Sequence, residues 1–292
     1  MAADTLRLRG ILPALVTPMG ADGSVDFDAF GRHVEWMLED GVHGLVPCGT
    51  TGESATLDPA EQAEVIRRTV EVARGRVPVV AGAGGNSTRT VCALARAAAD
   101  AGADALLVVT PPYNKPSPDG LVLHYRAIAD AAGLPIVLYN VPGRTGLNVP
   151  PEVVLRVAAE VPDVVAVKES AGRVDQLMTL LAERPTGFQV LSGDDDLALP
   201  SLAAGADGVV SVAANEVPGP LVRLFSLTES GDLAAARTLF YRLLPLLRAN
   251  FVESNPVPLK TALELMGRGP AHLRAPLAPL RPESRVQLEA AL

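Results

Sequence analysis

Short, nearly unbroken runs of Val, Leu, Ile and Ala recur along the first three quarters of the chain, separated by longer stretches with a helical alternation of apolar and polar positions. The runs fall at residues 11–16, 44–48, 78–81, 105–109, 135–139, 164–168, 189–191 and 208–212. They lack the two-residue alternation of half-exposed strands, which is the pattern of parallel strands covered on both faces. Between them, segments such as 26–39, 58–73, 88–101 and 117–132 predict helices, several with Ser, Thr or Asp in the capping position. Eight such strand–helix units predict an α/β fold, a closed (β/α)8 barrel of the TIM type. A doubly wound open sheet is the alternative, but no crossover break is visible. Beyond residue 212 the pattern is purely helical, at 221–230, 233–251 and 258–266, with a Pro-rich stretch at 270–282 before a last helix. One closing helix needs far less chain. The expected organisation is a catalytic barrel over 1–225 and a C-terminal helical appendage over 226–292 packed against it.

Composition narrows the function classes. The 292 residues are 48% hydrophobic, enough for a large core, and carry a net charge of −8 with no Lys/Arg-rich run, which argues against a nucleic-acid surface. No signal-peptide core and no apolar stretch of spanning length is evident, so no membrane partner is expected. Cys48 and Cys92 lack metal spacing and read as small apolar fillers, so the expected setting is a reducing cytoplasm.

In a barrel, chemistry gathers where the strands end at their C-terminal side. The second run leads into Gly49-Thr50-Thr51-Gly52-Glu53-Ser54, and the fourth into Thr110-Pro111-Pro112-Tyr113-Asn114. The fifth ends at Tyr139-Asn140 and continues through Pro142-Gly143-Arg144-Thr145; the sixth ends at Lys168, the seventh at Ser192-Gly193-Asp194. Hydroxyls, phenols, a guanidinium and an amine would converge on one rim. Lysine is scarce, with only Lys115, Lys168 and Lys260 among 25 basic residues. A guanidinium stays protonated under all usable conditions, whereas an amine in an apolar setting can lose its proton and attack a carbonyl. Lys115 sits in a polar loop and Lys260 in the helical tail, so Lys168, at a strand end, is the candidate Schiff-base nucleophile. A lysine whose stem packs and whose head reaches water is the structural alternative.

The other groups are readable either way. The Gly49–Gly52 turn could offer N–H groups and hydroxyls to a small carboxylate, or be an ordinary turn. Tyr139 could relay protons or simply pack, and Arg144 could clamp a carboxylate or staple its loop. Gly82-Ala83-Gly84-Gly85 lacks the third glycine of a dinucleotide fingerprint. The turn Gly205–Ser211 suggests a phosphate site, but Asp194-Asp195-Asp196 stands where the second phosphate loop is expected and would repel the ligand. Those aspartates fit stabilisation of a helix N-terminus better than a metal site.

The motifs Gly49-Thr50-Thr51-Gly52-Glu53-Ser54, Tyr139-Asn140-Val141-Pro142-Gly143-Arg144-Thr145, Val167-Lys168-Glu169, Leu191-Ser192-Gly193-Asp194-Asp195 and Phe251-Val252-Glu253-Ser254-Asn255-Pro256-Val257-Pro258 occur in this order. Together they resemble the dihydrodipicolinate synthase / N-acetylneuraminate lyase family, over nearly the whole chain, and its synthase branch in particular. The resemblance implies that Lys168 condenses with pyruvate and that the resulting enamine attacks aspartate semialdehyde, in the branch leading to lysine and diaminopimelate. It implies that Thr51 holds the pyruvate carboxylate, and that Thr50, Tyr139 and Tyr113 form a proton-relaying hydroxyl chain with Tyr113 supplied by a neighbouring subunit. It further implies that Arg144 binds the semialdehyde carboxylate and that Gly193 and Val210 line the pocket. No cofactor or metal is expected, and a homotetramer built as a dimer of dimers is. The pair Thr50-Thr51 with Arg144 favours the synthase over pyruvate-releasing aldolases with another aldehyde, and a catalytically idle oxo-acid binder is the remaining alternative. Lysine-inhibited members often carry a histidine, a glutamate and a second tyrosine in an allosteric cleft. This chain has Gln62, Thr90 and Pro112 there, with Ser54 and Asn86 retained, so weak or absent inhibition by lysine is expected.

Overall fold

The apolar runs form parallel strands of one closed barrel in a computed structural model that describes residues 6–292. Seven are regular: β1 (Gly10–Pro13), β2 (Val80–Gly82), β3 (Ala105–Val109), β4 (Ile136–Asn140), β5 (Val164–Glu169), β6 (Gln189–Ser192) and β7 (Gly208–Ser211). They pair in the order β1-β7-β6-β5-β4-β3-β2, all parallel. The expected strand at 44–48 closes the ring between β1 and β2 without becoming a regular strand. It pairs only through bridges at Ala14–Val46 and Leu45–Val79, with Val46 N donating to Pro13 O (3.0 Å) and Gly82 N to Pro47 O (2.9 Å). Pro47 has no N–H to give, and Cys48 turns into the left-handed region at φ 55°, so the ladder stops where the Gly49–Gly52 turn begins.

Strand alternation sorts the side chains into two layers. Leu12, Val80, Ala105, Leu107, Val137, Tyr139, Ala166, Leu191 and Val210 pack against one another with no helical residue among them, and so fill the barrel interior. Their neighbours Leu106, Val108, Leu138, Val167 and Val190 face outward against the surrounding helices. Several helix starts follow the sequence signals. Asp58 accepts from Glu61 N while Glu61 accepts from Asp58 N, a capping box that opens Pro59–Ala73. Ser87 and Ser117 cap Thr88–Asp100 and Pro118–Ala132.

Beyond the barrel, Leu233–Ala249, Val257–Leu265 and Pro282–Glu289 are helical. They are not a separate layer. Phe240 and Leu247 share an apolar cluster with Ile11 and Val209, and Leu259 and Leu263 share one with Val16 and Val212. No helix among the described residues is long and apolar enough to cross a membrane.

Candidate active site

Register places the lysine. Tyr139 on β4 stands opposite Lys168 on β5, and Lys168 opposite Leu191 on β6. Lys168 lies two residues beyond Ala166 and therefore shares its inward face. The next pair along, Asn140 and Glu169, faces the other way, and Asn140 Nδ2 donates to both Glu169 carboxylate oxygens at 3.0 and 3.1 Å. Gln176 Nε2 and Ala171 N complete the carboxylate's partners. Burial raises the Glu169 pKa, against the pull of these donors. This outer lock fixes the two strand ends side by side, and so fixes Tyr139 beside Lys168.

Lys168 is 6% exposed, and its Nζ sits 4.1 Å from the centre of the Tyr139 ring. It makes no ion pair among the described residues. Room for its stem comes from Gly193, where a Cβ would meet Ser170 Oγ at 1.9 Å and Lys168 Cε at 2.6 Å. Gly193 N donates to Glu169 O (2.8 Å), which ties that glycine to the end of β5. Val210 is buried on the inward face of β7.

Lys260 is the instructive contrast. It is buried still deeper, at 3% exposure, but its Nζ lies 2.5 Å from Glu53 Oε1 and donates to His272 O at 2.8 Å. Burial lowers its pKa, and the Glu53 charge opposes that shift. The Glu53 carboxylate favours the protonated form of Lys260, and a protonated amine has no lone pair with which to attack. Lys115 is exposed, with positive φ.

The Gly49–Gly52 turn is bracketed by two left-handed non-glycine residues, Cys48 and Glu53. Gly52 N donates to Gly49 O and Glu53 N to Thr50 O, both at 3.1 Å, and Thr17 Oγ1 donates to Gly52 O at 2.8 Å. Gly82 lets the turn sit close, since a Cβ there would lie 1.9 Å from Cys48 O. Thr51 is buried, and Asn255 Nδ2 donates to its Oγ1 at 3.0 Å. Thr50 is half-buried and lines a cavity of about 500 Å³ together with Arg144, Val109, Val141 and Asn255. Arg144, on the one-turn helix Pro142–Thr145, is exposed, and its Nη2 donates to Asn255 O at 3.2 Å. Lys168 and Tyr139 do not line this cavity. Val109, beside Tyr139 in the β3–β4 ladder, connects the two regions.

The chain thus brings together Lys168, Tyr139, Gly193 and Val210 at the strand ends, with Thr50 and Arg144 on the adjoining cavity and Thr51 tied to Asn255. Tyr113 stands apart: its N–H reaches Thr145 O at 3.2 Å, while its side chain is 90% exposed.

The acidic run stands at a helix start as expected, with Asp195 and Asp196 in the first turn of Asp195–Leu197, but its hydrogen bonds go elsewhere. Asp195 is buried, but its Oδ2 accepts from Val212 N and Ala213 N, both at 2.9 Å, at the turn after β7 rather than at the helix start that follows it in sequence. Burial raises its pKa, and it pushes the neighbouring Asp194 up to about 6, with the Gly172 N–H and the Lys168 charge pulling that carboxyl down. Cys48 lines the cavity, and burial pushes its thiol up to about 12, the state of an inert filler.

Sequence reasoning placed Asn255 and Glu53 in family motifs but gave them no role, and it left Lys260 without its partner. The contacts of Asn255 with Thr51 and of Lys260 with Glu53 depend on the helical tail folding back over the turn, and no local pattern announces that.

Comparison with known proteins bears on this geometry. The sequence model of the Dihydrodipicolinate synthetase family matches residues 7–292. The 4-hydroxy-tetrahydrodipicolinate synthase of Maridesulfovibrio salexigens is 50% identical over 287 residues, covering 98% of each chain. The crystal structure of dihydrodipicolinate synthase from Thermotoga maritima superposes with a TM-score of 0.95 at 42% identity, covering 98% of each chain. That of the chloride-inhibited enzyme from Acinetobacter baumannii, complexed with pyruvate, superposes with a TM-score of 0.94 at 42% identity over 97% of each chain.

Proposed function

The chain belongs to the dihydrodipicolinate synthetase family, and from that premise we propose that it condenses pyruvate with aspartate 4-semialdehyde to give 4-hydroxy-tetrahydrodipicolinate and water. The observation that carries the reading is Lys168, a buried amine without an ion-pair partner among the described residues, held against Tyr139 at the C-terminal end of the barrel strands. Its Nζ adds to the pyruvate ketone, and loss of water leaves a protonated imine. That cation is the electron sink for loss of a methyl proton, which gives an enamine. The enamine carbon attacks the aldehyde, whose oxygen takes up a proton. The amino group of the semialdehyde then attacks the imine carbon, closing the ring and expelling the lysine amine.

On the same reading we assign the other side chains their roles. Thr51 and the N–H groups of its turn face the pyruvate carboxylate, and Thr50 and Tyr139 pass protons. Arg144, exposed and lining the cavity, takes the semialdehyde carboxylate. Tyr113, with its ring in solvent, is available to a neighbouring protomer's site, which agrees with assembly as a homotetramer. Two free cysteines agree with a cytoplasmic setting.

The reading is tested by turnover of pyruvate and aspartate semialdehyde, coupled to a reductase that consumes the cyclic product. Steady product formation is expected. No product, in protein that still forms an imine with pyruvate, would move the assignment to another aldehyde.

Arg144→Ala should raise KM for the semialdehyde by about 10–100-fold, the order of a lost charge-assisted carboxylate contact. Pyruvate half-saturation for imine formation should stay within about twofold of wild type on the same reasoning. Equal losses for both substrates would show that Arg144 only staples its loop.

Free lysine should inhibit weakly. Among the described residues, Glu53 is the one carboxylate lining the cavity that also includes Ser54, Gln62, Asn86 and Pro112, and it is occupied by Lys260. An incoming ammonium finds no free countercharge there. An inhibition curve with its midpoint below about 1 mM, tighter than roughly 4 kcal/mol of binding, would contradict this.

A further inference from the structure

We infer that Asn255 is a positioning residue for the first substrate, fixing the Thr51 hydroxyl as a hydrogen donor toward the pyruvate carboxylate. The inference rests on the function proposed above and adds to it a residue from the helical appendage.

Asn255 is 5% exposed. Its amide makes one hydrogen bond among the described residues, from Nδ2 to Thr51 Oγ1 at 3.0 Å, and its Oδ1 has no partner. A residue present only to fill space at such a site would be apolar, because an amide oxygen buried without a donor destabilises the fold. The amide is therefore explained by what it does to Thr51.

A hydroxyl has one hydrogen and two lone pairs. With a lone pair of Thr51 Oγ1 engaged by Asn255, its hydrogen points elsewhere, and no acceptor within the described chain takes it. The backbone around it is already fixed, by Thr17 on Gly52 O and by Lys260 on Glu53. Thr51 is left as a preset donor on a rigid turn. Preorganised donors are the ones that discriminate, because binding costs them no reorientation.

Asn255 also holds Arg144, but through its backbone oxygen, at 3.2 Å. Side chain and backbone thus serve different substrates, and a substitution can separate them. Asn255→Ala removes the amide and keeps the carbonyl.

The test is a cycle of four proteins: wild type, Asn255→Ala, Thr51→Val and the double variant. For each, pyruvate half-saturation is read from borohydride trapping, and KM for the semialdehyde from turnover. In the Thr51 background, Asn255→Ala should raise pyruvate half-saturation about tenfold, the size of one preorganised hydrogen bond. In the Thr51→Val background it should change it by less than about twofold, since the two residues act as one unit. Semialdehyde KM should stay within about twofold, because Arg144 keeps its backbone acceptor.

Equal effects in both backgrounds would overturn the inference, and so would parallel losses for both substrates, the mark of a collapsed segment. Wild-type protein that fails to trap pyruvate at all would instead overturn the reading of the site on which the inference stands.

Discussion

Replacing Lys168 by alanine should lower turnover of pyruvate and aspartate semialdehyde by about a thousandfold or more, the order expected when a covalent nucleophile is lost. The size follows from what the amine supplies. A methyl proton of free pyruvate is a poor acid, and only conjugation with a protonated imine lets the carbanion electrons settle on nitrogen. Nothing else at the strand ends can replace that. Lys260 is tied to Glu53 and His272 O, and Lys115 lies in an exposed loop. Lys168→Arg should be equally inactive although it keeps the charge, because guanidinium does not form the imine. Lys168→Arg should remain folded because it keeps a positive charge there, and Lys168→Ala should lose some stability, since the Lys168 charge pulls down the pKa of the buried Asp195 and of Asp194. Turnover within tenfold of wild type in either variant would remove the imine from the account.

Gly193→Ala should carry the second largest effect, without touching any reactive group. The added methyl would sit 1.9 Å from Ser170 Oγ, 2.6 Å from Lys168 Cε and 3.2 Å from Lys168 Cγ. The serine hydroxyl can swing away, but the lysine stem is confined on its other side by the Tyr139 ring, 4.1 Å from Nζ. The amine must shift by an appreciable fraction of an ångström, and a displacement near 1 Å at a reacting atom costs about a hundredfold in rate. We expect kcat to fall by about that factor, with a stability loss of roughly 1–3 kcal/mol, the usual range for one methyl too many. Gly31→Ala is the control. Nothing lies within 4 Å of a Cβ at that helical position, so it should leave kcat unchanged and stabilise the helix by about 1 kcal/mol. An active Gly193→Ala enzyme would mean that the lysine tolerates a range of positions.

The barrel was legible because parallel strands covered on both faces must be continuously apolar, and because capping residues mark the helices between them. The run at 44–48 shows the limit of that logic. Its composition is that of a strand, and it occupies a strand's place, yet Pro47 and the left-handed Cys48 break the ladder. Lys168 and Tyr139 were legible for a stronger reason. Both end apolar runs, and residues that end neighbouring parallel strands meet at one rim.

What sequence could not show is tertiary in origin. Expecting the tail from residue 226 to pack on the barrel does not say which side chains meet, and here Asn255 reaches Thr51 across 204 positions and Lys260 closes on Glu53. The acidic run Asp194–Asp196 reads as a helix N-terminus, while the fold turns Asp195 toward the N–H groups that follow β7. In each case the partner lies on another element, beyond the range of any local pattern.

The most direct test of the central claim is borohydride reduction of the intact protein with pyruvate, followed by mass mapping of its peptides. The account predicts one carboxyethyl group per chain, on the peptide that carries Lys168, with Lys115 and Lys260 unmodified. Reduction that leaves Lys168 free, or that marks Lys260 instead, would contradict it.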